Sequence, residues 1–173
     1  ITTGALDQFM PDGRSVSEVI APNEANHIAY QEHRRIPEEL FDPDHLKFWW
    51  GVIPGHTAYP WIFPNDDNVA RVGLTMPIGV DLDAVENRDG YALLDDEDEQ
   101  VPSGAVYLRR LLDREYPEYD LDDFPLVDDR GKQGGTEAYP ISSTKPIESP
   151  VGADVAVVGG AMGATSAFHE GGD

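Results

Sequence analysis

The sequence predicts an α+β domain: a mostly antiparallel β-sheet with an aromatic face, one main helix over about 103–116, and a C-terminal strand, glycine loop and helix start. Three observations carry this reading. Strand-like runs follow one another between 46 and 76, joined by short turn-forming connections. A single leucine-bearing segment has helical spacing. Near the end, an apolar run passes directly into a glycine-rich turn.

Taken in order, residues 1–24 are rich in turn formers (Gly4, Pro11-Asp12-Gly13, Pro22-Asn23) and read as loop with one short helix near 5–10. Residues 26–35 suit a strand, with Ile28, Tyr30 and Glu32 on one face and Ala29, Gln31 and His33 on the other. Pro37 occupies the favoured first position of a helical turn over 37–41. The aromatic runs 46–52 and 59–63 read as strands, and 69–76 alternates Ala70, Val72, Leu74 and Met76 against Arg71, Gly73 and Thr75. Pro54-Gly55 and Asn65-Asp66-Asp67-Asn68 supply the turn chemistry of an antiparallel meander. The stretch 81–99 is acidic and aperiodic, and Asp95-Asp96-Glu97-Asp98-Glu99 lacks the spaced ligands of a calcium loop, so it reads as a solvated loop.

Ser103 is placed to cap a helix carrying Leu108, Leu111, Leu112 and Glu115, which Pro117 stops. Residues 120–129 are again acidic, 131–135 form a flexible loop, and 138–142 suit a short strand. Asp154-Val155-Ala156-Val157-Val158 is a buried strand running into Gly159-Gly160-Ala161-Met162-Gly163, after which a helix begins at Ala164. The expected organisation is one α+β domain over 1–153 and the start of a further element over 154–173. The chain begins at Ile1 and ends just past a glycine loop, so it is expected to be a piece of a larger protein.

Composition bounds the chemistry. Thirty-three acidic residues face 12 basic ones, for a net charge of -21. An anion of this density repels nucleic acid. It also repels itself at low ionic strength, so the expected setting is a high-salt cytoplasm in which ions screen the surface. No apolar run approaches the roughly 20 residues that cross a bilayer, which leaves peripheral contact as the expected limit of membrane association. The absence of cysteine excludes disulfides and thiolate chemistry. His27, His33, His45, His56 and His169 are scattered without zinc-ligand spacing, so no metal site is expected. His56, beside the aromatic run, is the best placed of them to serve a pocket, and His169 is second.

Two constellations remain. A strand, a glycine turn and a helix start form an anion-handling design, because the helix N-terminus offers free N–H groups and the positive end of its dipole. Tyr59, Trp61 and Phe63 alternate, so their rings share one face of a strand, with Trp50 shortly before them. Such a row builds either a flat apolar pocket or ordinary sheet core.

The order of these parts is Tyr59-x-Trp61-x-Phe63-Pro64, then Asn68-Val69-Ala70-Arg71-Val72-Gly73-Leu74, then Val158-Gly159-Gly160-Ala161-Met162-Gly163. From about residue 26 to the end it resembles the FAD-dependent geranylgeranyl reductase family, within the p-hydroxybenzoate hydroxylase-like flavoproteins. The resemblance implies a fragment of an oxidoreductase that moves a hydride between reduced flavin and an alkene of an isoprenoid or other lipid-like substrate. It implies that Tyr59, Trp61, Phe63, Trp50 and His56 line the substrate cavity, and that Gly159, Gly160, Ala161, Met162 and Gly163 approach FAD. No residue is implied as catalytic. The family's dinucleotide-binding unit with its Gly-x-Gly-x-x-Gly loop has no counterpart in this sequence, so the fragment alone is expected to be inactive. Gly160 stands where the family carries an Asp, Met162 replaces an Ala, and Ala58 replaces a Gly. The rival expectation is a stand-alone, acidic ligand-binding or interaction module without redox activity.

The charge reading makes a direct prediction. In a salt titration followed by circular dichroism, the chain gains secondary structure as salt rises; full folding without added salt would overturn the inference of salt adaptation.

Overall fold

Side-chain alternation along two central strands decides the architecture. The computed structural model describes residues 27–55 and 58–141. Five strands, β1 (His27–Arg35), β2 (Lys47–Phe48), β3 (Tyr59–Pro64), β4 (Val69–Pro77) and β5 (Thr136–Ile141), form one sheet in the order β2-β3-β4-β1-β5. One helix, α1 (Gly104–Glu115), packs against it. The predicted α+β architecture, with its aromatic sheet face and single main helix, is the observed one. The two central strands pair antiparallel with Tyr59 opposite Thr75, Trp61 opposite Gly73 and Phe63 opposite Arg71. On the opposite face the same register aligns Ile62 with Val72 and Pro64 with Ala70.

That second set faces the core. Ile62, Ala70, Val72 and Leu74 are buried in one cluster with Ile36, Tyr107, Leu108, Leu111, Leu112 and Phe124. The helix forms where expected: the Ser103 Oγ accepts from the Val106 N–H, and the chain leaves the helix at Tyr116, before Pro117. Each fully buried leucine contributes about 1.5–3 kcal/mol of transfer free energy. Tyr30, on the helix side of β1, packs over Gly104 at the helix start. Its hydroxyl donates to the Glu32 carboxylate at 2.7 Å, and Glu32 accepts from the Arg34 Nε at 2.6 Å. Arg34 in turn donates to the Phe124 carbonyl, so a buried pair of charges is hydrogen-bonded on both sides. Burial and the neighbouring Glu32 push the Tyr30 hydroxyl well above its ordinary value, which keeps it a donor.

The turn between β3 and β4 is the predicted Asn-Asp-Asp-Asn sequence, with Asp67 and Asn68 both at positive φ. Pro37 opens a single helical turn, whose Leu40 and Phe41 N–H groups donate to the Pro37 carbonyl.

Three sequence expectations are corrected. The strand expected over 46–52 has only two paired residues, Lys47 and Phe48. The Trp49 N–H still donates to the Pro60 carbonyl, but Pro60 has no N–H to return, and Gly51 then turns the chain at φ 70°. The acidic run 95–99 is not merely solvated. Arg110 binds both Asp98 carboxylate oxygens, at 2.7 and 3.0 Å, and also pairs with Asp95. The Leu93 carbonyl accepts from the same guanidinium, and Leu93 itself is buried in the core. Finally, the glycine loop 131–135 is pinned rather than loose: the His33 N–H donates to the Gly135 carbonyl at 2.7 Å, and the Gly135 N–H donates back to Arg130. Gly131, Gly134 and Gly135 all adopt the positive φ that this tight return requires.

The chain divides into two units, Ala29–Tyr139 and a second made of Ile1–Ile28 with Pro140–Asp173. The sheet and helix described above belong almost entirely to the first. The short helix expected near 5–10, the division expected at 153/154 and the strand–loop–helix expected from 154 lie outside the described residues.

The Arg110 clamp generates a pH prediction. Its hydrogen bonds hold the Asp98 carboxyl below the usual carboxylate range. A depressed folded value means stabilisation present above the unfolded pKa of about 3.9 and lost as pH falls through the folded value. Asp98→Asn is therefore expected to lower the urea midpoint at pH 5–8, by an amount equivalent to about 1 kcal/mol or less. The gap to the unsubstituted protein should close below about pH 4. A pH-independent gap would show that the ion pair is not its source.

Candidate functional site

The sheet face turned away from α1 carries the aromatic row. Alternation puts Tyr59, Trp61 and Phe63 on this face of β3, with Arg71, Gly73 and Thr75 beside them on β4. None of the three rings belongs to the helix-packed core cluster. The row thus occupies a face separate from the helix-packed core.

The rings form a continuous ladder. Trp61 stacks on Phe63 with centroids 5.4 Å apart and planes 18° from parallel, and Tyr59 follows Trp61 at 5.9 Å. Two residues from the edge segment join them. Trp50 lies 4.3 Å from Tyr59, and Phe48 meets Phe63 edge-on at 5.1 Å and Tyr59 at 5.8 Å. These separations are those of favourable aromatic pairs. Exposure divides the set sharply: Tyr59 and Trp61 are 6% and 5% exposed, while Phe48 and Trp50 are 43% and 59% exposed. The ladder therefore has a buried floor and an open lip, to which Leu46 adds a further exposed apolar side chain.

Gly73 sets the depth of the floor. A Cβ placed there would lie 2.5 Å from the Trp61 ring carbons and 2.7 Å from Nε1, so the indole lies flat across bare β4 backbone. Alongside it the face is polar in places. The Trp61 Nε1, Thr75 Oγ1, Arg71 Nε and both His33 ring nitrogens are buried and find no hydrogen-bond partner among the described residues. His33 lies on the non-helix side of β1 with Gln31, whose amide donates to Glu137 at 2.6 Å. The Arg71 guanidinium sits 5.9 Å from the Phe63 ring centre, within cation–π range.

Of the residues singled out by sequence, Tyr59, Trp61, Phe63 and Trp50 come together. His56 and the loop Gly159, Gly160, Ala161, Met162 and Gly163 lie outside the described residues. Phe48, Gly73 and Thr75 join the site without having been singled out. The alternation of 69–76 already placed Gly73 and Thr75 on one face, but only the β3–β4 register brings them beside Trp61. Among the described residues no group of three His, Asp or Glu side chains is arranged to hold a metal ion, and no helix is long and apolar enough to cross a membrane. The arrangement is an aromatic row with buried polar atoms at its base and exposed rings at its edge.

Gly73→Ala tests the packing of this floor. The added methyl collides with the indole, so the substitution is expected to cost about 1–3 kcal/mol and to alter the near-UV circular dichroism of the tryptophans. An unchanged spectrum with unchanged urea midpoint would show that Trp61 does not rest on Gly73.

No family model matches this chain, and no curated protein matches it. Among solved structures, the fold is similar to that of a geranylgeranyl bacteriochlorophyll reductase-like protein from Thermoplasma acidophilum, with a TM-score of 0.53 at 19% sequence identity. The match covers 90% of this chain and 32% of the other, so the chain spans about a third of that protein's length. At this identity the likeness establishes a shared fold over the matched part of the two chains.

Proposed function

We propose that this chain is the substrate-side portion of an oxidoreductase of geranylgeranyl reductase type, and that its aromatic ladder receives an isoprenoid or similar lipid chain. The observation that carries the reading is the ladder itself, with Tyr59 and Trp61 at its buried base and Phe48 and Trp50 at its exposed lip. A polyene chain is slim, flat in segments and apolar. Stacked rings offer it dispersion contact along its length while excluding water. The fold likeness to a reductase-like protein, over the greater part of this chain, supports the same reading.

In this reading Trp61, lying on Gly73, fixes the plane in which an alkene is held, and Tyr59 and Phe63 bracket it. Trp50 and Phe48 form the apolar entrance. FAD, when bound, supplies the hydride chemistry; the residues proposed to meet it, Gly159, Gly160, Ala161, Met162 and Gly163, follow an apolar run in the sequence and would offer backbone N–H groups. The described residues contribute binding, orientation and exclusion of water. The surroundings proposed are a high-salt cytosol, consistent with the charge of -21.

Equilibrium dialysis against radiolabelled geranylgeraniol is expected to show saturable binding by the chain, weakened about tenfold or more by Trp61→Ala. No saturable binding would overturn the lipid reading. FAD added to the same chain is expected to give no yellow 1:1 complex; a tight one would overturn the proposal that the loop 159–163 meets the flavin without holding it by itself.

A further inference from the structure

The edge segment that carries the exposed rings is held by few backbone bonds. β2 pairs with β3 only at Lys47 and Phe48, and the Trp49 N–H adds one bond to the Pro60 carbonyl. Leu46, Phe48 and Trp50 are its exposed apolar side chains. A segment tied down so sparsely opens locally long before the whole fold does. Side chains supply the rest of its hold. Lys47 reaches the end of α1, where its Nζ donates to the Tyr116 hydroxyl at 3.5 Å and lies 5.9 Å from the ring centre.

Immediately before β2 the chain turns at Asp42-Pro43-Asp44-His45, and side chains close that turn. The Asp42 Oδ1 accepts from the Asp44 N–H at 3.2 Å, and the His45 Nδ1 lies 3.0 Å from both Asp42 carboxylate oxygens. Asp42, His45 and Lys47 line one shallow cleft with the Tyr116 phenol, so the turn and the edge strand share a wall. The hydrogen bond to Asp42 raises the His45 imidazole above its ordinary value; the Asp42 and Asp44 charges add to this and Lys47 opposes it. The same hydrogen bond holds the Asp42 carboxyl below the usual carboxylate range.

We infer that Asp42 and His45 form a pH-sensitive latch on the edge segment, closed while the imidazole is protonated and loosened when it loses that proton. A neutral imidazole still donates one hydrogen bond to a carboxylate, but the charge-assisted bond is roughly twice as strong. Because the His45 value is raised, the hold is complete below the unfolded pKa of about 6.5 and fades as pH rises through the folded value. Because the Asp42 value is lowered, the hold fails again only as pH falls through a value below about 3.9. Leu46, Phe48 and Trp50 follow directly after the latch, so its release frees the exposed rings. The buried Tyr59 and Trp61 belong to β3 and keep their places. The consequence for ligand entry rests on the reading of the aromatic face as a lipid site; the latch itself does not.

Amide hydrogen exchange of the whole chain, followed by NMR in salt that keeps it folded, reads the latch without any ligand. Each rate is divided by the intrinsic exchange rate at that pH. Protection of the Trp49 N–H is expected to fall about two- to fivefold between about pH 5.5 and about pH 8.5. The fall should track the titration of the His45 ring protons in the same samples, while the α1 amides keep their protection. His45→Gln and Asp42→Asn should each flatten this pH dependence at the loosened level. His45→Arg, a cation at every pH tested, should retain the higher protection throughout. The His45 side chain is 74% exposed, so its variants are expected to fold, and the α1 amides report whether they do.

Trp49 protection independent of pH in the unsubstituted chain would overturn the latch. So would a pH dependence that survives in His45→Gln. Failure of geranylgeraniol to bind in dialysis would overturn the lipid reading alone, because the exchange rates are measured without ligand.

Discussion

The structure turns on the register between β3 and β4. Because side chains alternate strictly, one residue of slip in β3 would send Tyr59, Trp61 and Phe63 into the helix-packed core and expel Ile62 from it. Three features hold the register. The Asp67-Asn68 turn accepts two consecutive left-handed residues, a geometry that asparagine and aspartate tolerate better than most. The apolar partners Ile62 and Val72 are buried against the leucines of α1. The indole of Trp61 fits only opposite a residue without a side chain, and Gly73 is that residue. The fold and the aromatic face are therefore two consequences of one alignment, and neither survives a change in the other.

Much of this was legible in the sequence, for identifiable reasons. The helix was readable because its cap, its leucine spacing and its proline stop are all local signals. The meander was readable because its turn residues are conformationally specific. The aromatic row was readable as a row, since alternation is local as well. Its separation from the core was not, because which face a helix covers depends on packing between segments far apart in the chain. Thr75 escaped notice for the same reason. A threonine in an alternating strand is unremarkable until the register places it on the aromatic face with its hydroxyl buried and unpartnered among the described residues.

The misjudged elements share a cause too. The edge strand was overestimated because aromatic content signals β propensity while pairing depends on the partner, and the partner offers a proline at the decisive position. The acidic run reads as solvated loop because it lacks the spaced ligands of a calcium loop and carries no apolar periodicity. A single guanidinium from α1 orders it nonetheless, pairing with both Asp95 and Asp98. The result ties a segment with little regular structure to the core through Leu93, whose carbonyl the same arginine engages.

That arginine illustrates a wider asymmetry. Positive charge is scarce in a chain with 33 acids and 12 bases, and several of the bases act as crosslinks. Arg34 joins β1 to the Phe124 carbonyl, Arg110 gathers the acidic loop, and Arg130 reaches the Asp66 carboxylate of the β3–β4 turn. Removing an unpaired carboxylate from such a surface relieves repulsion elsewhere, whereas removing Arg110 or Arg130 leaves two carboxylates facing one another. Sequence drift in this protein should accordingly be lopsided, with unpaired acidic positions exchanging freely and these few arginines, with the carboxylates they bind, holding their places.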